Sequence, residues 1–423
     1  MKTIEKRRIR DTNVYIPGSK SISHRMLIMA SLCDGQSLVE NVLSSEDIEL
    51  TSSALQCMGA LIQNGEHTSG LKIRGFGARP VPHTGGIYLG NSGTSMRLLA
   101  SIAALGSTDY LLTGNERMCE RPMDPLLNAL KTAGADARSQ SGKGTPPVVI
   151  NGKDCAGGKI RIDCSVSSQY LSGLLIAGAA MEKGLHIHVD NGLVSTPYVD
   201  LTVNTMEAFQ VHAEKLSDRE YRVPGGQRYV PGDFSVEPDL SNAGYFWLAG
   251  AITGSAVKVE NVIPDSLQGD VKLIYILRDM GCTLDMDNSG ITVKGGSLRG
   301  VNVDMGNMPD AVPGLAVAAA FAEGRTVIRN IGHLRAKECD RIDAVATQLS
   351  KMGIKVDTGE DWMVVHGGKP KAAVIETFDD HRIAMSFAVA GLAVEGIKIQ
   401  NHECVGKSFP SFWDIFDSLE GRG

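Results

Sequence analysis

The sequence predicts an α/β protein that is built from six similar units grouped into two domains. Three observations lead to this prediction. A polar segment followed by an apolar helix recurs about every 70 residues, which is the spacing of a supersecondary repeat. A second, amphipathic helix recurs within the units, and β-rich runs lie between the helices. The chain of 423 residues is also longer than one hydrophobic core usually supports.

Each apolar helix follows a polar segment, which we call its head. The runs behind the heads are rich in alanine and leucine on all sides, so we expect these six helices to be buried. In chain order the heads are Ser19–Arg25, Asn91–Arg97, Ser167–Tyr170, Asp239–Asn242, Met308–Asp310 and Asp379–Arg382.

The amphipathic helices are expected to face solvent, and four of them end on a glycine. These glycines are Gly59, Gly134, Gly281 and Gly353. Glycine suits this position because the residue just past a helix end often adopts a left-handed conformation. The third unit shows only a weak version of the pattern, at 203–211.

A segment rich in proline and glycine, Tyr221–Pro238, is the best candidate for a linker between the third and fourth units. Three units precede it and three follow it. We assign residues 1–18 and 237–423 to one domain and residues 19–236 to the other.

Composition limits the partners. The net charge of -6 argues against a nucleic acid or an acidic membrane as partner. Residues 1–10 lack the apolar segment of a secretion signal, and we expect a cytoplasmic protein. The eight cysteines show neither paired spacing nor a zinc-ligand pattern, so we expect reduced thiols and no metal.

The helix heads are candidate anion sites, because a helix N-terminus presents unpaired N–H groups and a partial positive charge. Their hydroxyl, amide and carboxylate side chains are also ordinary N-caps, but capping requires no arginine. The anion-binding candidates are Lys20, Ser21, Arg25, Asn91, Thr94, Arg97, Ser167, Ser168, Gln169, His381 and Arg382.

The segment Arg335–Arg341 concentrates three cations and two carboxylates. We predict that it opens an amphipathic helix, with Lys337 and Arg341 on one face of the first turn. Alone, such a cluster is typical of a solvated, salt-bridged helix start.

Nine segments, taken together and in order, resemble the enolpyruvyl transferase family, in particular its members that act on shikimate 3-phosphate. The resemblance covers nearly the whole chain. The segments are Pro17–Arg25, Leu89–Arg97, Glu120–Met123, Ser167–Gln169, Ser195–Tyr198, Pro309–Asp310, Leu334–Arg341, Asp380–Met385 and Gly406–Pro410.

The resemblance implies two inside-out α/β domains, each of three βαβαββ units, with the active site in the cleft between them. It implies transfer of the enolpyruvyl group of phosphoenolpyruvate to the 5-hydroxyl of shikimate 3-phosphate, a step in aromatic amino-acid biosynthesis. No cofactor is implied, and we expect a monomer.

The resemblance also implies roles for individual residues. Asp310 would accept the hydroxyl proton and Glu338 would donate to C3, with Lys20 and Lys337 sharing proton transfer. Shikimate 3-phosphate would contact Lys20, Ser21, Arg25, Ser167, Ser168, Gln169, Ser195, Tyr198, Asp310 and Lys337. Phosphoenolpyruvate would be held by Lys20, Gly93, Arg121, Gln169, Arg341, Arg382 and Lys407.

Two alternatives stay open. One is a UDP-N-acetylglucosamine enolpyruvyl transferase, which commonly carries a catalytic cysteine five residues before its loop arginine; here Glu116 holds that position relative to Arg121. The other is a non-catalytic anion-binding protein of the same repeat architecture. In addition, His333 stands where many relatives carry an asparagine.

Overall fold

The computed structural model describes residues 1–65 and 70–419, and these form a mixed α/β protein, as predicted. The chain divides into two compact units. We call Gly18–Glu237 the contiguous unit, and Met1–Pro17 with Pro238–Gly423 the two-segment unit. Each unit has its own hydrophobic core.

Twelve α-helices occur in the described part of the chain. They are α1 (Lys20–Ser31), α2 (Glu46–Cys57), α3 (Gly93–Ala103), α4 (Asp124–Thr132), α5 (Gln169–Ala180), α6 (Pro197–Ala208), α7 (Leu240–Thr253), α8 (Leu273–Asp279), α9 (Val312–Ala319), α10 (Arg341–Lys351), α11 (His381–Gly391) and α12 (Phe412–Asp417).

The strands lie between these helices and at the N-terminus. They are β1 (Lys2–Ile4), β2 (Thr12–Tyr15), β3 (Gln36–Glu40), β4 (Leu61–Asn64), β5 (Leu71–Arg74), β6 (Gly86–Tyr88), β7 (Tyr110–Thr113), β8 (Asp136–Ser139), β9 (Val148–Asn151), β10 (Gly158–Cys164), β11 (Leu185–Leu193), β12 (Glu214–Lys215), β13 (Glu220–Val223), β14 (Asp233–Ser235), β15 (Ala256–Glu260), β16 (Thr283–Asp287), β17 (Gly290–Lys294), β18 (Asn302–Asp304), β19 (Arg325–Arg329), β20 (Val356–Thr358), β21 (Trp362–His366), β22 (Val374–Ile375) and β23 (Ile397–Ile399).

The sheets of the contiguous unit share one plan. An edge strand runs parallel to its neighbour, and the remaining two strands of each sheet pair antiparallel. The three strand orders are β14-β3-β5-β4, β6-β7-β9-β8 and β10-β11-β13-β12.

Two sheets of the two-segment unit repeat this plan, and its third sheet has three strands. The strand orders of this unit are β16-β17-β15-β2, β18-β19-β21-β20 and β1-β23-β22. The N-terminal segment completes two of these sheets, because β2 pairs parallel with β15 and β1 pairs antiparallel with β23. The six sheets of the described residues therefore confirm the prediction of six like units.

The helices behind the polar heads are buried, as predicted from their composition. Every residue of α9 and of α11 is buried, and α7 is buried over most of its length. The amphipathic helices bury one face only; in α4 the buried residues are Leu126, Leu127, Ala129 and Leu130. Each head consequently presents its N-terminal backbone N–H groups at the end of a buried helix.

The glycines at which the amphipathic helices end adopt the expected left-handed conformation. Their φ angles are 109° at Gly59, 106° at Gly134, 113° at Gly281 and 77° at Gly353. In the third unit the same position is held by Gln210, with φ 59°. The backbone N–H of the next residue, Val211, donates to Met206 O at 2.9 Å, and this hydrogen bond ends the helix. The sequence signal for a helix end was weak in this unit because glutamine takes the place of glycine.

Two predictions about segments differ from the structure, and the first of them holds only for the last two residues of its segment. Tyr221–Pro238 is not a free linker: β13 pairs with β11 and β12, β14 pairs with β3, and the crossing between units falls at Glu237–Pro238. The prolines and glycines of this segment lie at strand ends and turns. The predicted domain boundaries fall one residue from this crossing and one residue from the crossing at Pro17–Gly18.

The second error concerns the start of α10. The helix begins at Arg341, because the carboxylate of Asp340 accepts the amides of Ile342 and Asp343 at 3.1 and 3.2 Å and so caps it there. Lys337 lies before the helix, so it does not share a helix face with Arg341.

No helix within residues 1–65 and 70–419 is long and apolar enough to cross a membrane. The eight cysteines carry free thiols.

Candidate active site

Arg341, the first residue of α10, is surrounded by three carboxylates. Its Nη1 donates to Asp310 Oδ1 at 2.7 Å and its Nη2 donates to Glu338 Oε2 at 3.0 Å. Its Nε donates to Asp380 Oδ2 at 2.8 Å, and Nη2 also reaches Asp380 Oδ1 at 3.3 Å. The side chain of Arg341 is only 2% exposed.

The charge on Arg341 is maintained by these partners. Burial alone would lower the pKa of the guanidinium, but the carboxylates of Asp380, Glu338 and Asp310 outweigh burial and raise it well above its ordinary value. Arg341 is therefore a permanent cation inside the two-segment unit.

Asp380 anchors this group. Its side chain is 0% exposed, and besides Arg341 it accepts the backbone N–H of Arg382 at 2.8 Å as the N-cap of α11. Sequence reasoning placed Asp380 in a helix head but gave it no place in the site. An aspartate directly before a basic helix start was the available signal, but N-capping explained it equally well.

Arg382 is the second buried cation of the group. Its Nη2 donates to Asp310 Oδ2 at 3.0 Å and to Ser241 Oγ at 2.8 Å, and its Nη1 donates to Tyr245 OH at 3.2 Å. Burial lowers the pKa of Arg382, but Asp310, Tyr245 and Asp239 together raise it well above its ordinary value. Asp310 thus bridges two arginines, one with each carboxylate oxygen.

The structure brings together Asp310, Glu338, Arg341 and Arg382, all of which the sequence singled out. We call these four residues with Asp380 the Arg341 group.

Of the other predicted residues in this unit, Lys407 is buried at the end of the 3-10 turn His402–Lys407.

Lys337 follows the 3-10 turn Gly332–Ala336, where His333 is buried. Burial, followed by the positive charge of Lys337, lowers the pKa of His333 to about 3, with Asp310 opposing and Arg341 adding to the shift. His333 is therefore neutral near pH 7. Its Nε2 is buried with no hydrogen-bond partner among the described residues.

In the contiguous unit, the head of α1 holds two predicted cations. Lys20 Nζ lies 3.1 Å from Asp47 Oδ2, and both side chains are largely buried. Asp47 was missed, because nothing in the local sequence links it to a lysine 27 positions earlier.

Arg25 joins three helices of this unit. Its guanidinium donates to Ser21 O at 2.8 Å within α1, to Thr202 Oγ1 at 2.8 Å and Tyr198 O at 2.9 Å in α6, and to Ser172 Oγ at 3.2 Å in α5. Burial lowers the pKa of Arg25 to about 10, so it remains charged at neutral pH. The predicted residues Ser21, Arg25 and Tyr198 thus lie together, and Thr202 is an unpredicted partner.

Gln169 connects the heads of α3 and α5. Its Nε2 donates to Thr94 Oγ1 at 2.9 Å, and its Oε1 accepts from Arg97 Nη1 at 3.1 Å. Ser167 Oγ accepts the backbone N–H of Gln169 at 3.3 Å, and Ser168 is the buried residue that precedes α5.

Arg121 packs against the head of α3, where its Nη1 donates to Asn91 O at 3.2 Å and Asn91 Oδ1 at 3.1 Å. Gly93 leaves room for it. A Cβ atom at Gly93 would lie 2.5 Å from Arg97 Nη1 and 2.6 Å from Arg121 Nη2. The absence of a side chain at Gly93 therefore decides where both guanidinium groups lie.

Ser195 has an unusual backbone for a serine, with φ 54°. Its hydroxyl is buried and has no hydrogen-bond partner within the described residues. It lies just before α6, and its carbonyl accepts the amide of Tyr198 at 3.1 Å.

Both units thus place buried cations at the heads of their buried helices. A family model described as EPSP synthase (3-phosphoshikimate 1-carboxyvinyltransferase) matches residues 5–416. The chain belongs to the EPSP synthase family.

Curated relatives in the EPSP synthase family are similar over nearly their whole length. The 3-phosphoshikimate 1-carboxyvinyltransferase of Vibrio campbellii is 40% identical over 413 residues, covering 96% of each chain. That of Serratia proteamaculans is 40% identical over 408 residues, covering 95% of this chain and 94% of its own.

A solved structure of EPSP synthase from Acinetobacter baumannii is similar with a TM-score of 0.82 and 31% identity. The match covers 99% of this chain and 97% of that one. The α/β architecture of six repeated units is therefore an architecture of the EPSP synthase family.

The lowered pKa of His333 predicts a pH-dependent stability. An unfolded histidine takes up a proton near pH 6.5, whereas folded His333 does so only near pH 3. The contribution of His333 to the free energy of unfolding is therefore fully present above pH 6.5. It decreases as the pH falls below this value, by up to about 1.4 kcal/mol per pH unit. We expect His333→Asn to reduce this slope, measured by urea unfolding at several pH values between about 6 and 4.

His212→Asn is the matched control, since the His212 side chain is 62% exposed whereas that of His333 is buried. If the free energy of unfolding of His333→Asn depends on pH as strongly as that of the wild type, the folded protein does not oppose protonation of His333.

Proposed function

We propose that this protein transfers the enolpyruvyl group of phosphoenolpyruvate to the 5-hydroxyl of shikimate 3-phosphate and releases phosphate. The reaction proceeds by addition and elimination through a tetrahedral intermediate, and it serves the shikimate pathway of aromatic amino-acid biosynthesis. The observation that carries the proposal is the Arg341 group, in which two buried arginines that suit an anionic donor lie against carboxylates that suit proton transfer.

The chemistry requires both kinds of group in one place. The acceptor hydroxyl must lose a proton as its oxygen attacks C2 of phosphoenolpyruvate, while C3 gains a proton. We assign the first transfer to Asp310 and the second to Glu338, with Lys20 and Lys337 sharing proton transfer. The contacts of Asp310 with two arginines fix the position of its carboxylate, and Glu338, 10% exposed, is sheltered from bulk water.

Phosphoenolpyruvate carries a carboxylate and a phosphate, which arginine binds in a bidentate manner. We assign its binding to residues that are cationic, present N–H groups at a helix head or leave space beside a guanidinium. These are Lys20, Gly93, Arg121, Gln169, Arg341, Arg382 and Lys407. The contacts of Arg121 around Gly93 support this assignment.

Shikimate 3-phosphate requires a phosphate site and partners for its hydroxyl groups. We assign it to Lys20, Ser21, Arg25, Ser167, Ser168, Gln169, Ser195, Tyr198, Asp310 and Lys337. The buried and unpartnered hydroxyl of Ser195 supports this, because a buried donor is usually satisfied and a ligand oxygen would do so. UDP-N-acetylglucosamine as acceptor gains no support, since the curated relatives carry the 3-phosphoshikimate name.

We further propose that the protein acts as a monomer in the cytoplasm, without nucleic-acid or membrane partners. Its net charge of -6 supports the absence of a nucleic-acid partner.

A phosphate-release assay with the full chain tests the function. Phosphate should appear only when phosphoenolpyruvate and shikimate 3-phosphate are both present, because the donor loses phosphate only after the acceptor adds. Omission of either substrate is the control. Release with UDP-N-acetylglucosamine in place of shikimate 3-phosphate would contradict the proposal.

Asp310→Asn and Glu338→Gln should each lower kcat by about 10²-fold or more, the scale of general acid–base assistance. Asp343→Asn is a matched control, since Asp343 lies close by on α10 but pairs with Arg335. Single-turnover rates at saturating substrates would measure the effect. If a variant turns over at the wild-type rate, the residue that it replaces takes no part in the proton transfers.

Gly93→Ala should raise the KM for phosphoenolpyruvate by roughly tenfold to a hundredfold, because the new methyl group displaces the guanidinium of Arg121. Gly86→Ala is the control, since the nearest atom to its Cβ, Leu111 Cδ2, lies 3.6 Å away. Steady-state kinetics with each substrate varied would measure both. An unchanged KM for phosphoenolpyruvate would show that Arg121 does not hold the donor.

A further inference from the structure

A tyrosine hydroxyl contacts the segment that carries Arg121. Tyr170 is the second residue of α5, and its side chain is fully buried. Its OH donates to the backbone oxygen of Pro122 at 2.6 Å. Pro122 directly follows Arg121 in the chain. The hydrogen bond therefore holds the backbone beside an arginine that we assign to phosphoenolpyruvate.

The packing of α5 does not require a hydroxyl at this position. Behind its head the helix is apolar apart from Ser172, and the ring of a phenylalanine would fill nearly the same volume as that of Tyr170. A buried tyrosine hydroxyl needs a hydrogen-bond partner, and it finds one in Pro122 O. The oxygen of Tyr170 therefore serves this contact and not the filling of the core.

Arg97 supports the same carbonyl group from α3. Its Nη2 lies 3.5 Å from Pro122 O, at the limit of hydrogen-bond distance. Its guanidinium carbon lies 5.5 Å from the centre of the Tyr170 ring, close enough for attraction between the cation and the ring face. Pro122 O is thus contacted by a tyrosine and an arginine that also contact each other.

The close approach of α3 and α5 makes this arrangement possible. A Cβ atom at Gly173, one turn after Tyr170 on α5, would lie 2.6 Å from Ser101 Oγ and 3.0 Å from Arg97 O. A side chain there would push the two helices apart. Gly173 therefore keeps Tyr170 and Arg97 near enough to share Pro122 O.

The backbone on either side of Pro122 is also hydrogen-bonded. The N–H of Arg121 donates to Met118 O at 3.1 Å, and the N–H of Met123 donates to Gly144 O at 2.8 Å. Pro122 has no N–H, so its carbonyl is the backbone group through which it can be held. Proline also restricts the residue before it to an extended conformation, and Arg121 has φ -77° and ψ 135°. The contact at Pro122 O thus fixes the middle of a segment whose two sides are already held.

The position of the Arg121 guanidinium depends on this segment. Arg121 Nη1 donates to Asn91 O at 3.2 Å and to Asn91 Oδ1 at 3.1 Å. Both distances are already at the long end of the range for such bonds, so a small shift of the backbone would break them.

We propose that Tyr170 is a positioning residue for phosphoenolpyruvate: its hydroxyl holds Pro122 O and thereby places the guanidinium of Arg121 where the donor binds. This inference rests on the proposed function, because it takes Arg121 as a donor-binding residue. It gives a part in donor binding to Tyr170, which is otherwise only the last residue of a helix head.

Two other buried tyrosines make the same type of contact away from Arg121. Tyr110 OH donates to Val81 O at 2.6 Å, and Tyr229 OH donates to Ile176 O, on α5, at 2.9 Å. Their side chains are 1% and 3% exposed. Phenylalanine variants of these two residues therefore show what the loss of a buried hydroxyl does when no substrate-binding residue depends on it.

Steady-state kinetics of Tyr170→Phe in the phosphate-release assay tests the proposal. The KM for phosphoenolpyruvate should rise roughly fivefold to fiftyfold, since a misplacement of about 1 Å can cost a hundredfold. The kcat and the KM for shikimate 3-phosphate should stay within about twofold of the wild type, as for a loss of donor binding alone. Tyr110→Phe and Tyr229→Phe are the matched controls and should keep all three constants. Similar unfolding temperatures of the three variants would show that the change in KM does not come from lost stability.

A second background shows whether Tyr170 acts through Arg121. In Arg121→Ala the guanidinium is absent, so adding Tyr170→Phe should change kcat/KM for phosphoenolpyruvate by less than about twofold. An equal loss in both backgrounds would show that Tyr170 acts on the donor by another route, and it would overturn the proposal.

A crystal structure of Tyr170→Phe gives a readout that does not depend on activity. Pro122 O should have moved, and Arg121 Nη1 should have lost at least one contact with Asn91, whereas Tyr110→Phe should retain both contacts. An unmoved Arg121 would overturn the proposal.

The kinetic outcomes separate this inference from the proposed function. If the wild type releases phosphate from both substrates and Tyr170→Phe keeps the wild-type KM for phosphoenolpyruvate, the positioning role alone is refuted. If the wild type releases no phosphate, the proposed function fails, and the crystal structure alone decides whether Tyr170 positions Arg121.

Discussion

The two-segment unit depends on one buried guanidinium. A charge that is removed from water is tolerated only when it is paired and hydrogen-bonded, and Arg341 meets this condition with carboxylates from three separate places in the chain. Asp310 lies before α9, Glu338 before α10, and Asp380 at the start of α11. Removal of one partner from such a pair typically costs about 3 to 5 kcal/mol. The same contacts therefore hold three helix starts together and concentrate charge in one place.

The repeat architecture explains why charge collects at helix heads. Each buried helix must satisfy its first N–H groups with side chains or ligands, so polar residues are required there in every unit. In the two-segment unit this requirement is met by Asp239 and Asp380, which cap α7 and α11. In the contiguous unit Ser92 caps α3. Beside the caps stand arginines that capping does not require, and these arginines suit the anionic substrates.

Much of this fold could be predicted from the sequence, because burial and helix termination leave local signals. The apolar runs predicted the buried helices, and Gly281 and Gly353 marked helix ends correctly. Gln210 escaped notice because a residue other than glycine took the left-handed position. The start of α10 was placed too early, since the charge cluster contained several possible first residues and only the cap contacts of Asp340 decide between them.

The site was less accessible to sequence reasoning. Helix heads and a charge cluster drew attention to Arg382 and Arg341, and a family resemblance supplied the roles of these two residues and of Asp310 and Glu338. The structure shows that the four lie in contact, and their individual roles stay predictions. Contacts such as Lys20 with Asp47 and Arg25 with Thr202 depend on tertiary packing between helices and leave no local pattern. The pairing of Arg341 with three carboxylates is likewise a property of the folded chain.

The central claim is that the Arg341 group binds phosphoenolpyruvate. A crystal structure of the protein with phosphoenolpyruvate and 5-deoxyshikimate 3-phosphate, an acceptor that lacks the attacking hydroxyl group, tests it most directly. We predict that phosphoenolpyruvate contacts Arg341 and Arg382, and that the contact of 2.8 Å between Arg341 Nε and Asp380 is retained. A structure in which phosphoenolpyruvate is bound but contacts neither Arg341 nor Arg382 would contradict the account.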